Sequence, residues 1–188
     1  MAIRTQTATP SIITALALAA LLIGCTSPQP IDSPTSEETT HSIFATEDEA
    51  FVAASRAYRE YYRVSDAIFD DGGRGIERLR DVATEEQFEF EVPDYEDVRK
   101  RGLHSVGVTT IDTLSLQNYA PASPNGVEIV TLYACVDVSD IDVLDSHNNS
   151  ILDAGRQVRL PFEPTFDYVD GRLLLSGGNP WSGKDFCN

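Results

Sequence analysis

The sequence predicts an α+β domain in which amino-terminal helices pack on a curved antiparallel sheet. Three observations carry this. Apolar residues after Thr46 recur at helical spacing over some twenty-five positions. After Gly102 the apolar period changes to two. Two turn dipeptides, Asn125-Gly126 and Asp170-Gly171, join neighbouring strands as antiparallel hairpins. Helices first and strands afterwards is the order of an α+β fold.

The first helix opens at Thr46, with Glu49 three residues on as a capping box. Phe51, Ala54, Tyr58, Tyr61, Tyr62, Ser65, Ile68 and Phe69 form its apolar face, and Gly72-Gly73 stops it. Ile76, Leu79, Val82 and Ala83 make a short second stripe. Thr84 caps another helix with Gln87 at the reciprocal position, and Pro93 is expected to end it. The segment 94–101 then reads as one more short helix, acids leading and bases trailing, closed by Gly102. His104 to Tyr119 reads as one long strand with a bulge near Thr110. In the next strand Val130, Leu132, Ala134, Val136 and Val138 share one face, while Ile129, Thr131, Tyr133, Cys135 and Asp137 share the other. Residues 141–155 are an irregular outgrowth. Pro161 and Pro164 mark the following strand as an edge or a kinked one. Arg172 to Trp181 is the last strand.

The residues ahead of the domain read differently. Ile12–Ile23 is a run of 12 apolar residues broken only by Thr14. It is too short to span a bilayer comfortably, but has the length of a signal-peptide core. It ends in Leu22-Ile23-Gly24-Cys25, which resembles the bacterial lipobox. That resemblance implies a lipid on Cys25 and cleavage that makes Cys25 the new amino terminus. Thr26 to Thr46 is rich in Ser, Thr and Pro, a composition too polar to offset its own chain entropy. The organisation expected is a lipoprotein signal peptide over 1–24, a disordered tether over 25–45 and a folded domain over 46–188. The tether holds His41, to which no role falls. Location follows: lipid-anchored on the extracytoplasmic face of the cell membrane.

The formal net charge is −16, and removing residues 1–24 takes away only Arg4 and no acid. An acidic chain excludes nucleic acid, which needs a basic footprint. It keeps an exported domain apart from its copies, and would draw in cationic ligands.

The order of elements resembles the nuclear transport factor 2-like (or cystatin-like) cone, and more narrowly small actinomycete-type lipoproteins of that fold. The residues that carry the likeness are "LIGC", "YACVDVSD", "VLDSHNN" and the ending "NPWSGKDFC". The cone can enclose a pocket, and some enzymes of that fold move protons inside it with Asp, His or Tyr. On that resemblance Tyr58, Tyr62, Asp66, Tyr133 and Asp137 are candidate pocket-lining residues, with Asp112 beside them.

Beyond Cys25 the chain holds two cysteines, Cys135 and Cys187, and an exported pair reads as one disulfide. The alternatives for Cys135 are a nucleophile, which would need His104 as base, and a zinc ligand, for which no CxxC or HxxxH spacing exists. Asp137, Asp140, Asp142 and Asp145 cluster as calcium ligands would, yet lack the glycine and closing Glu of a calcium loop, so turn formation is the reading for them. Trp181 reads as a hydrophobic plug under the last strand. The sequence shows no catalytic constellation, no metal site and no cofactor motif. It points to a non-catalytic module that binds a cell-envelope protein or a small molecule. The alternative is a proton-transfer isomerase, dehydratase or cyclase using a cone pocket.

Overall fold

The computed structural model describes residues 42–187; the apolar run, Cys25 and the tether as far as His41 lie outside the described residues. Helix α1 spans Glu47–Asp70 and α2 Glu85–Arg101, with a 3-10 helix, Ile76–Asp81, between them. Six strands follow: β1 His104–Val106, β2 Thr110–Tyr119, β3 Val130–Asp137, β4 Asp142–Leu144, β5 Arg159–Val169 and β6 Arg172–Pro180. They form a four-stranded antiparallel sheet in the order β2-β3-β5-β6 and a small β1–β4 ladder. The fold is α+β, with helices first and antiparallel sheets after. No helix among the described residues is long and apolar enough to cross a membrane.

Local chemistry accounts for the helices. The Thr46 hydroxyl accepts from Glu49 N at 3.1 Å, and the Glu49 carboxylate accepts from Ala45 N at 2.9 Å. The first satisfies a donor that a helix start leaves open, and the second ties the residue before the cap to the first turn. The folded unit also takes in part of the expected tether. Phe44 N donates to the Tyr119 hydroxyl at 2.9 Å, and Ile43 and Phe44 pack against the core. After α1 the chain turns through Gly72 and Gly73. A Cβ on Gly73 would sit 2.5 Å from the Tyr95 carbonyl oxygen, so only glycine lets the turn approach α2 so closely.

Pro93 does not end a helix: Glu85–Arg101 is one helix with Pro93 inside it. An interior proline loses one hydrogen bond and costs ~3 kcal/mol. Here the ring is exposed. The turns on either side are held by Phe88 and Tyr95, both buried in one cluster with Val64 and Ile68 of α1 and Leu79 and Val82.

The long strand expected from His104 to Tyr119 is two strands. Gly107, at φ 94, breaks it; a Cβ there would meet the Asp140 carbonyl oxygen at 2.0 Å. β1 is thereby released to pair with β4, Ser105 facing Val143. The bulge expected near Thr110 falls between Ile111 and Thr113, and a second irregularity lies between Leu116 and Asn118. Asn125-Gly126 does not close a two-residue hairpin either. It lies in a 3-10 turn within the longer β2–β3 connection. Asp170-Gly171, both at positive φ, closes the tight β5–β6 hairpin.

β5 is no edge strand, for it pairs with β3 on one side and β6 on the other. Its prolines sit where the ladders lapse. Pro161 faces Trp181, just past the end of β6, and its carbonyl accepts from Trp181 N at 2.8 Å. Pairing with β3 skips from Thr131↔Thr165 to Ala134↔Phe162, and Pro164, which brings no N–H, lies in that gap.

The main core lies between α1 and one face of the sheet. Ala50 and Ala54 bring the helix backbone close, and Tyr58, Val130, Leu132, Ala134, Val136, Phe166 and Leu175 complete it. The Tyr58 ring meets Phe166 edge-on at 6.0 Å. Burial of each Val, Leu or Phe side chain here contributes ~1.5–3 kcal/mol.

Candidate functional site

The five residues read from the sequence as pocket lining do not line one cavity. Tyr58 is 2% exposed and belongs to the core; burial pushes its hydroxyl pKa well up. Tyr62 stacks edge-on against it at 5.1 Å and is pushed up by burial to about 12. Asp66 accepts from Thr109 N and from Thr109 Oγ1, each at 2.8 Å. Both of its oxygens thus clamp the β1–β2 connection onto α1.

Tyr133 and Asp137 alternate with the core residues of β3 and therefore stand on the opposite face of the sheet. Asp137 accepts from Ser139 N at 2.8 Å and lies 3.8 Å from Nε of Arg159, whose Nη2 pairs with Asp112. Hydrogen bonds from Ser139, aided by the Arg159 charge, hold the Asp137 carboxyl below its ordinary value. Tyr133 accepts from Gln117 at 3.0 Å and packs against Trp181 and Phe186, with centroids at 5.0 and 5.6 Å. Cys135 lies between them. Its Sγ is 2.10 Å from that of Cys187, the distance of a disulfide, which ties the chain's tail to this face. Asp145 accepts from His147 N and Asn149 N, as a turn aspartate does. Among the described residues no group of three or more His, Cys, Asp or Glu is placed to hold a metal.

Titratable side chains converge elsewhere, in a cleft of about 310 Å³ between α1 and α2. Tyr61 and Phe69 line it from α1, and Gln87, Phe90, Glu91, Asp94, Tyr95 and Val98 from α2. Helical spacing of three and four residues brings each set onto one face. Glu91 is the centre. It is 8% exposed, and its Oε1 accepts from the Tyr61 hydroxyl at 2.8 Å and from Gln87 Nε2 at 2.7 Å. Oε2 has no protein donor among the described residues and is not sealed from solvent. Burial raises the Glu91 pKa and the nearby Asp94 charge adds to the rise, while the hydrogen bonds from Gln87 and Tyr61 lower it without cancelling the shift. Tyr95 shares a 2.7 Å hydrogen bond with Ser65 and, like Tyr61, is shifted upward by burial. The cleft can therefore take up or release a proton at one carboxylate, or present that carboxylate to a donor, beside aromatic walls.

The sequence reading passes over Glu91 because it stops the helix at Pro93. Read through the proline, Glu91 stands three residues after Phe88 and four before Tyr95, on the apolar stripe. A carboxylate at such a position is the available signal.

No protein-family model and no curated protein matches the chain. Among solved structures, the crystal structure of the intermembrane space region of the chloroplast protein ARC6 is similar at a TM-score of 0.53 and 14% identity, over 71% of this chain and 97% of that one. A solution NMR structure of a de novo designed β-sheet protein has a TM-score of 0.34 and 11% identity, over 74% of this chain and 96% of the design. The likeness to the ARC6 region is one of fold alone, in keeping with helices packed on an antiparallel sheet.

Proposed function

We propose that the chain is a lipoprotein, anchored through Cys25 to the extracytoplasmic face of the cell membrane, whose folded unit is a non-catalytic binding module of the nuclear transport factor 2-like type. The apolar run ending in Leu22-Ile23-Gly24-Cys25 supports the anchor. A buried cysteine pair at disulfide distance suits an oxidising compartment. The helix laid across an antiparallel sheet supports the cone reading. The observation that carries the binding reading is the α1–α2 cleft, with aromatic walls and one carboxylate oxygen that has no protein donor among the described residues. A cell-envelope protein or a small molecule is the partner, with the cleft as the small-molecule site.

Two measurements test this. Palmitate labelling of the parent chain in a bacterial host should be lost in Cys25→Ala; labelling that persists refutes the anchor. Amide resonances of α1 and α2 should shift with a ligand that leaves the chain chemically unchanged and is itself recovered unchanged; turnover of that ligand refutes the non-catalytic reading.

A second reading has one observation in its favour. The Glu91 carboxyl, raised by burial and bonded to Tyr61, is equipped for proton transfer. An isomerase, dehydratase or cyclase acting there would convert a hydrophobic ketone or lactone, and Glu91→Gln would abolish the conversion.

A further inference from the structure

We propose that the α1–α2 cleft recognises an organic ammonium ion, its nitrogen set against Glu91 and Asp94 and its hydrocarbon part against Tyr61, Phe69 and Phe90. This rests on the reading of the cleft as the module's small-molecule site, and it names the ligand's chemistry.

Four features of the cleft converge on a cation with an apolar body. First, its eight lining residues include two carboxylates and no Lys, Arg or His. Second, Glu91 is bound only by neutral donors, both on Oε1, while Oε2 is reachable and unpartnered among the described residues. An N–H of an ammonium would supply the missing donor and the missing counter-charge together. Third, four of the eight residues are aromatic, and ring faces attract cations. Phe90 is 74% exposed at the cleft, a large apolar ring left mostly open. Fourth, the chain's net charge of −16 concentrates cations around it.

Other occupants fit less well. An anion would meet two carboxylates with no base to offset them. A calcium ion takes six to eight oxygens, and the cleft brings two carboxylates and one amide. A volume of about 310 Å³ suits a small amine, not a folded partner.

The experiment titrates the full chain, in a neutral detergent, with 2-phenylethylammonium and separately with 2-phenylethanol, following backbone amide shifts. The ammonium should move resonances of residues 61–69 and 87–98 and bind at least about tenfold more tightly than the alcohol. Glu91→Gln should remove most of that difference. Phe90→Ala, at an exposed position where folding is not at stake, should weaken both probes. If the alcohol binds as tightly as the ammonium, the ammonium assignment fails and the cleft remains the ligand site. If neither probe moves the α1 and α2 resonances, the cleft reading fails as well.

Discussion

Opening the Cys135–Cys187 bond should cost the folded unit about 4 kcal/mol. The two cysteines are 52 residues apart, and a crosslink over that length removes chain entropy from the unfolded ensemble and so raises its free energy by about this much. For a domain of this size each kcal/mol moves Tm by roughly 2–4 °C, so the loss is roughly 10–15 °C. The bond also pins the tail through which Trp181 and Phe186 cover Tyr133, so part of the outer face should loosen with it. The assay compares thermal unfolding of the oxidised parent, the reduced parent and the Cys135→Ala/Cys187→Ala double variant. Reduction isolates the crosslink, because it leaves both side chains in place; the double variant adds only the small loss of two buried sulfur atoms. Tm values for the reduced parent and the double variant that stay within about 2 °C of the oxidised parent would refute the loop-closure argument. Peptide mapping that finds both thiols open to alkylation before reduction would remove the bond itself.

Three further changes bear on the helices, the strand break and the cleft. The Glu91 pKa is raised by burial, so its contribution to stability is whole below the unfolded value of about 4.3 and is lost as pH rises through the folded value. Glu91→Gln should therefore match the parent at pH 4 and exceed it in Tm at pH 7; a difference that does not change with pH contradicts this. Gly107→Ala should cost at least about 2 kcal/mol in a urea titration, because it combines a positive φ with a Cβ set against the Asp140 carbonyl. A cost within experimental scatter would mean that the β1–β2 break does not depend on glycine. Pro93→Ala should raise stability by about 1–2 kcal/mol, since it restores an interior helix bond at an exposed site and frees only some unfolded-state entropy. A destabilised variant would show that the proline shapes α2 for its neighbours.

Where one local rule acts alone, the sequence reads correctly. Thr46 and Thr84 open helices, Gly102 closes one and Asp170-Gly171 folds a hairpin, each through bonds made within a few residues. Where two rules compete, tertiary contacts decide. Pro93 should break a helix, but Phe88 and Tyr95 bury themselves on α1 from either side of it. Pro161 and Pro164 should expel β5 to an edge, but each falls where a neighbouring ladder already lapses. Gly107 looks like one residue of a long strand, and only the backbone at Asp140, thirty-three positions on, shows why the strand must break there.

The site was harder to read for a different reason. Residue type marked Tyr58, Asp66, Tyr133 and Asp137 as able to do chemistry, and the fold occupies each of them. Tyr58 is core, both oxygens of Asp66 hold Thr109, Tyr133 lies under the tail, and Asp137 is held by Ser139 and Arg159. What distinguishes Glu91 is the oxygen it has left over. A buried carboxylate whose bonds all fall on one oxygen has unmet capacity in a low-dielectric setting, where a partner counts for most. That capacity depends on Tyr61 and Gln87 reaching Oε1 from two sides, and Tyr61 lies on another helix. A matching donor should therefore bind there in preference to Asp137 on the sheet's outer face, even though that carboxylate is the more exposed.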